Sequence, residues 1–130
     1  MKQQGFGLIP ADRNEDALVG SFTVQDNLTL GHHYEPRYSQ GFLRSGSKLA
    51  QVTRPLLDEF DVRPRSLSAE VGRLSGGNQQ KVIIAREVDA GLKFLLAAYP
   101  TRGVDIGAIE FIYDLFQKKK EHGAGILLIS

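Results

Sequence analysis

The chain has 130 residues, of which 42% are hydrophobic and 24% are charged, and its formal net charge of +1 gives no electrostatic reason to expect nucleic acid as a partner. Because it has no cysteine, a disulfide scaffold, a thiolate nucleophile and a cysteine-based zinc site are excluded. No apolar run reaches the roughly 18–20 residues that span a bilayer, so we expect a soluble α/β domain or part of one.

The first thirty residues predict a strand, a turn and a short helix. The apolar run that begins at Phe6 is typical of a strand, and Pro10 ends it because proline cannot donate to a strand ladder. Residues 11–20 are charged and turn-like. Thr23 is placed as a helix N-cap, with Asp26 three residues later, so we expect a short helix from this point.

The middle of the chain predicts one irregular segment and one helix. Residues 32–46 are aromatic and contain Gly and Ser without a period, which is typical of a loop. The adjacent His32 and His33 lack a third ligand at a workable spacing, so we interpret them as solvated rather than metal-binding. Apolar residues at helical spacing over 47–60 predict an amphipathic helix that is interrupted or kinked at Pro55.

The second half of the chain has clearer helix and strand boundaries and predicts a βαβ unit. A helix is expected between Ser75 as its cap and Gly91 as its stop. The apolar run at 94–98 predicts a strand buried on both faces, and the run at 126–129 predicts a second buried strand. The pattern over 108–121 predicts the helix between them. A crossover of this length predicts one right-handed βαβ unit of a parallel sheet.

The octet from Leu74 to Lys81, Leu-Ser-Gly-Gly-Asn-Gln-Gln-Lys, is the most informative motif in the sequence. A bare Ser-Gly-Gly is usually a flexible capped turn, and glycine lowers helix propensity by roughly 1 kcal/mol relative to alanine. Here, however, unpaired backbone N–H groups and the positive end of a helix dipole converge on Gly76 and Gly77, where no Cβ atom hinders an anion. Ser75 adds a hydroxyl donor, so the octet predicts a phosphate site.

This octet resembles the signature motif of ABC-type ATPases, in the form found in sugar and nucleoside importers. The segment from Pro100 to Asp105 resembles the stretch after the Walker B strand of those importers, with Asp105 at the D-loop position. Upstream, the segment that ends in Ala11, Asp12 and Arg13 resembles the Q-loop region of the second ATP-binding domain in tandem subunits. The resemblance covers residues 5–130.

The resemblance implies an α/β fold that is a fragment of an ABC-type P-loop ATPase domain, with a helical subdomain followed by a βαβ unit. The Q-loop region would occupy about residues 1–19 and the helical subdomain residues 20–72. Residues 73–130 would hold the signature helix, the Walker B strand, the D-loop, a further helix and a strand.

The sequence departs from the family pattern at three places. No phosphate-loop motif occurs within these 130 residues, so we expect that the chain alone is inactive as an ATPase. Ala98 and Tyr99 stand where the family has the magnesium-side aspartate and the catalytic glutamate, which makes this copy of Walker B degenerate. Ala11 stands where a glutamate is usual.

The resemblance implies that the signature residues contact ATP held by a partner ATP-binding domain, with Mg²⁺ at the complete composite site only. The partners implied are that domain and the permease subunits, and nucleic acid is not among them. The implied location is cytoplasmic and peripheral to the membrane. The alternative is a non-catalytic module that couples to the permease through a degenerate site. An ATPase of DNA repair or chromosome maintenance fits less well, because the sequence leaves no room for long coiled-coil insertions. The residues implied to contact nucleotide are Ser75, Gly76, Gly77, Asn78 and Gln79.

Overall fold

The structure is a computed structural model that describes residues 5–30, 46–88 and 91–130, with the side chains from residue 49 onward in the second range. The predicted loop at 32–46, with His32 and His33, therefore lies outside the described residues except for its last position. The elements in chain order are β1 (Phe6–Ile9), α1 (Arg13–Asp16), α2 (Val24–Thr29), α3 (Gly46–Glu59), a 3₁₀ turn (Val71–Arg73), α4 (Gly76–Glu87), β2 (Phe94–Ala98), α5 (Ile106–Glu121) and β3 (Gly125–Ile129).

The three strands of the described residues form one parallel sheet in the order β1-β2-β3. Leu95 pairs with Gly7 on one side and with Ile126 on the other. The parallel β2–α5–β3 unit confirms the predicted βαβ unit, and the α/β fold is confirmed with it. The strand pattern at Phe6 was also correct, but the sequence did not predict that β1 lies beside β2.

The predictions that β2 is buried on both faces and that β3 is a buried strand were wrong. Leu95 and Ala97 are buried, whereas the alternate residue Phe94 is exposed and Leu96 is only partly covered. Most of β3 is exposed, including Leu127 at 53%. The reason is that side chains alternate between the two faces of a sheet, and the described helices cover the face that carries Leu95 and Ala97.

The helices agree with the sequence patterns apart from their ends. The Thr23 hydroxyl accepts the N–H of Asp26 at 3.1 Å and caps α2, as predicted. The predicted turn at 11–20 contains one helical turn, α1, because the Asp12 carboxylate caps it. Pro55 lies inside α3, and α4 ends at Glu87 instead of continuing toward residue 90.

The core holds α4 in a fixed position between several other elements. This helix packs against α1, α2, α5 and β1, and residues 79–88 are all buried. Leu28, Leu57 and Leu95 belong to the same hydrophobic core and are fully buried. The close packing around α4 therefore holds its N-terminus in a fixed position.

No helix of residues 5–30, 46–88 and 91–130 is long and apolar enough to span a membrane.

Candidate functional site

The start of α4 is organised by Ser75. Its backbone carbonyl accepts the N–H of Gln79 at 2.9 Å, which is the first helical hydrogen bond. The Ser75 hydroxyl accepts the backbone N–H of Asn78 at 3.3 Å and the Asn78 side-chain amide at 2.9 Å. The N–H groups of Gly76 and Gly77 lie in the first turn, where no carbonyl of the helix can pair with them. This end of the helix can therefore donate to an anion.

The two glycines have a role within the chain that the sequence did not reveal. A Cβ atom on Gly76 would collide with the carbonyl oxygen of Gly103 and lie 2.6 Å from Nη2 of Arg13. A Cβ atom on Gly77 would lie 3.0 Å from Cβ of Ala108 and 3.2 Å from Oδ1 of Asp105. The space that a side chain would need is thus filled by this chain, and the glycines allow α4 to lie against the start of α5.

Asp105, at the predicted D-loop position, is the N-cap of α5. Its Oδ1 accepts the N–H of Ala108 at 3.0 Å. Because Gly77 lies against the same carboxylate, the signature segment and the D-loop residue are adjacent. The structure therefore brings together two motifs that the sequence places far apart.

A cavity of about 260 Å³ opens between the starts of α4 and α5. Besides the signature residues and Asp105, its walls include charged side chains that sequence reasoning did not assign to the site. The lining residues are Asp61, Arg63, Ser75, Gly77, Asn78, Lys81, Asp105, Gly107 and Ala108. The cavity thus combines a helix N-terminus with groups of both charges.

The charged wall of the cavity centres on Asp61. A hydrogen bond from Arg65 lowers the pKa of Asp61 to about 2; burial opposes this shift, while Arg63 and Lys81 add to it. Lys81 is buried, donates to the backbone carbonyl of Asp61 at 3.1 Å and lies over the ring of Phe111. These contacts fix the ammonium group of Lys81 at one place in the wall.

Arg13, from the predicted Q-loop region, also reaches the site. Its Nη1 donates to the carbonyl of Arg102 at 2.7 Å and its Nε to Oε1 of Gln79 at 3.2 Å, while Nη2 lies 3.5 Å from the carbonyl of Gly103. The neighbouring Gln80 donates to the carbonyl of Pro100 at 2.6 Å. The sequence signal for this network was the run of polar residues in a helix that is otherwise apolar.

The other two residues of the predicted Q-loop region have different environments. Asp12 accepts the N–H groups of Asn14 and Glu15 at 3.1 Å, which caps α1. Ala11 is exposed in the bend before that cap. Of the three residues, Arg13 alone is shown in contact with the signature and D-loop segments.

Ala98 and Tyr99 lie at the carboxyl end of β2, beside β3. The N–H of Tyr99 donates to the carbonyl of Ile129 at 2.7 Å, and its φ of 49° turns the chain away from the sheet. The guanidinium of Arg102 stacks 4.1 Å from the centre of the Tyr99 ring. Neither Ala98 nor Tyr99 has a carboxylate, so this strand end supplies no acidic ligand for Mg²⁺. Within the described part of the chain, no three His, Asp or Glu side chains are grouped so that they could hold a metal ion.

The chain is similar along nearly its whole length to known import proteins. It is 43% identical over 129 residues to the nucleoside import ATP-binding protein NupA of Lactococcus lactis, which covers 98% of this chain and 25% of that protein. It is 41% identical over 129 residues to the guanosine import ATP-binding protein NupO of Bacillus subtilis, with the same coverage. It is 39% identical over 130 residues to the ribose import ATP-binding protein RbsA 1 of Rubrobacter xylanophilus, covering 99% of this chain and 26% of that protein. The chain thus spans about a quarter of the length of these relatives.

A solved structure supports the same relationship. The chain matches a dimeric ATP-binding cassette, in a post-hydrolysis state bound to ADP and Pi, with a TM-score of 0.77 and 25% identity. The match covers 99% of this chain and 53% of the cassette. No protein-family model matches the chain.

Proposed function

Because the chain belongs to the ATP-binding-cassette family, we propose that it acts as part of the ATP-binding subunit of an importer for nucleosides or simple sugars. The names of its relatives support this substrate class. In this proposal, residues 1–19 form the Q-loop region and residues 20–72 the helical subdomain. Residues 73–130 supply the signature helix, the degenerate Walker B strand and the D-loop.

The N-terminus of α4 binds the terminal phosphate of ATP that a partner ATP-binding domain holds. The observation that carries this proposal is the Ser75-capped helix start, which opens on the cavity of about 260 Å³ beside Asp105. The first-turn N–H groups and the Ser75 hydroxyl donate to phosphate oxygens, while Gly76 and Gly77 keep the helix start close to the D-loop. Mg²⁺ belongs to the composite site that the partner domain completes. The permease subunits respond when the two ATP-binding domains close around that site.

A second candidate function is a non-catalytic module that contacts the permease. The observation that favours it is the end of β2, where Ala98 and the stacked Tyr99 provide no carboxylate to hold a metal ion or to activate water. The two candidates differ in whether the start of α4 contributes to ATP turnover at the partner's site.

A pair of substitutions at Ser75 separates the two candidates. Aspartate and asparagine are both good helix N-caps, so Ser75→Asp and Ser75→Asn preserve the start of α4. Only Ser75→Asp places a negative charge against the phosphate, and charge repulsion at about 4 Å is large enough to reduce turnover by roughly 100-fold or more. The measurement is ATP hydrolysis and substrate uptake by the full subunit, assembled with its permease.

The asparagine variant is the control, because it matches aspartate in size but is neutral. We expect it to keep turnover within about tenfold of the unmodified subunit, since it loses only one hydroxyl donor. Equal turnover of the Ser75→Asp and Ser75→Asn subunits would contradict phosphate binding at α4. Retained permease binding with that result would favour the non-catalytic module.

A further inference from the structure

We propose that Arg13 is a positioning residue that fixes the loop between β2 and α5 against the start of α4. This loop comprises residues 99–105 and carries the D-loop residue Asp105 at its end. The guanidinium of Arg13 bridges two carbonyl groups of the loop, those of Arg102 and Gly103, to the side chain of Gln79 on α4.

The chemistry of arginine suits this bridge. A guanidinium presents several donors in a rigid planar fork, and here Nη1 and Nε bind acceptors on two different elements. A lysine ammonium is a single centre at the end of a flexible stem and cannot reproduce that geometry. Gln79 is itself held, because its amide donates to the carbonyl of Val71 at 3.1 Å. The bridge therefore ends on a buried and immobile partner.

Two other contacts anchor the loop near its ends, and Arg13 bonds the carbonyls in its middle. Gln80 holds the carbonyl of Pro100 at 2.6 Å, and Asp105 is fixed by the cap of α5. Between these points Gly103 adopts a φ of 69°, and its carbonyl packs against the backbone of Gly76. A displacement of the carbonyls at 102 and 103 would separate the loop from the signature segment.

Arg13 also connects this loop to a different part of the chain. It is the first residue of α1 and follows β1 after a short bend, so it belongs to neither α4 nor the loop. A movement of residues 11–16 is thereby transmitted to the loop and, through Gln79, to α4. The effect of this linkage on ATP turnover rests on the proposed function, whereas the effect on loop order does not.

Hydrogen exchange of the loop amides in the full chain tests the positioning role directly. The N–H groups of Arg102 and Val104 are bonded within the loop, to the carbonyls of Tyr99 and Thr101. In Arg13→Gln we expect both amides to exchange about tenfold faster, because the loop loses its bonds to Nη1 and Nη2. The N–H of Ile112 in α5 serves as the internal reference and should not change.

Two further variants make the test specific. Arg73→Gln is the matched control, because it removes the same charge from a side chain that is 85% exposed and paired with Glu70. Arg13→Lys keeps the charge but has a single donor nitrogen. We therefore expect loop exchange rates between those of the unmodified chain and those of Arg13→Gln. Unchanged loop exchange in Arg13→Gln, or the same increase in Arg73→Gln, would overturn the inference.

Kinetics of the full subunit with its permease provide the second measurement. We expect Arg13→Gln to lower kcat about tenfold and to leave KM for ATP within about twofold, with partial recovery in Arg13→Lys, because the guanidinium positions the loop without holding the nucleotide. A change confined to KM would contradict a positioning role. If loop exchange rises while Arg13→Gln and Ser75→Asp both leave turnover unchanged, the proposed function fails and the structural role of Arg13 is supported.

Discussion

Two helices begin at the same cavity, and different side chains cap them. The start of α4 is capped by the neutral hydroxyl of Ser75, and the start of α5 by the carboxylate of Asp105. Both helix ends carry the positive end of a dipole, equivalent to roughly half an elementary charge. At α5 the cap itself carries a negative charge, whereas at α4 the cap is neutral.

In the proposed function, the difference in cap chemistry is the reason why the phosphate binds at the start of α4 and not at the start of α5. A phosphate at the start of α5 would meet the Asp105 carboxylate, but at the start of α4 it meets a hydroxyl and backbone donors. Because Oδ1 of Asp105 also lies close to Gly77, the carboxylate limits how deeply an anion enters. The two caps thus make the cavity asymmetric, with the neutral cap at α4 and the charged cap at α5.

The largest expected effect comes from placing aspartate at the second helical position of each helix. Gly77→Asp brings Cβ to 3.0 Å from Ala108 and a carboxylate toward Asp105, so we expect a loss of about 3 kcal/mol in the free energy of unfolding. The matched change Gly107→Asp meets nothing within 4 Å of the new Cβ, so we expect a change of about 0.5 kcal/mol or less. Urea denaturation of both variants measures the difference.

This pair controls for the helix dipole, because each new acid occupies the same position relative to its cap. Only crowding and charge repulsion differ between them. Equal stability of the two variants would mean that the start of α4 has as much space as the start of α5. The contacts of Gly77 with Ala108 and Asp105 are the reason to expect that Gly77→Asp destabilises the fold.

A smaller effect is expected from removing the two caps. Ser75→Ala and Asp105→Ala each lose a cap hydrogen bond, which corresponds to about 1 kcal/mol of stability. The loss in Asp105→Ala should decrease with added salt, because ions screen a charge–dipole interaction at an exposed site. The loss in Ser75→Ala should not depend on salt. Unfolding free energies at low and high ionic strength test this, and an identical salt response would remove the proposed asymmetry.

The smallest effect concerns the acid on the opposite wall of the cavity. The pKa of Asp61 is lowered from 3.8 to about 2, chiefly by the hydrogen bond from Arg65. A lowered folded pKa means that the ionised group stabilises the fold above pH 3.8, and that this contribution is lost as the pH falls to about 2. Asp61→Asn should therefore lose less stability than the unmodified chain across this interval.

Asparagine also tolerates the φ of 51° at position 61, so the substitution tests charge rather than backbone strain. Asp58→Asn is the control, because Asp58 is an exposed partner of the same Arg65. Parallel stability curves for Asp61→Asn and the unmodified chain between pH 3.8 and pH 2 would contradict the assignment.

The sequence predicted those parts of the fold that depend on neighbouring residues. The caps at Thr23 and Ser75 and the βαβ unit follow from local chemistry and periodicity, and the structure contains all three. The position of β1 beside β2 was not predictable in this way, because no local pattern records which distant strand supplies the hydrogen bonds. The same limit applies to β2 and β3, whose apolar runs do not reveal which face the helices cover.

In the candidate site, too, local features could be predicted from the sequence and long-range contacts could not. Its helix start was visible in Ser75 and the two glycines, but the contacts of Arg13 depend on the packing of α1 against α4. Asp61 and Arg63 reach the cavity through the chain that follows α3, which has no motif of its own. The tertiary packing of the helices therefore determines which residues line the cavity, while the local sequence determines how each helix begins.

The pairing of β1 with β2 has a consequence for how the chain folds. Phe6 lies opposite Phe94, so this contact closes most of the chain into one long loop, whereas β2 and β3 are joined through α5 alone. Contacts between residues far apart in sequence form late, because the entropy of loop closure must be overcome before they stabilise the structure. During synthesis β1 therefore waits longer for β2 than β2 waits for β3, because α1 to α4 are made between β1 and β2 and only α5 between β2 and β3.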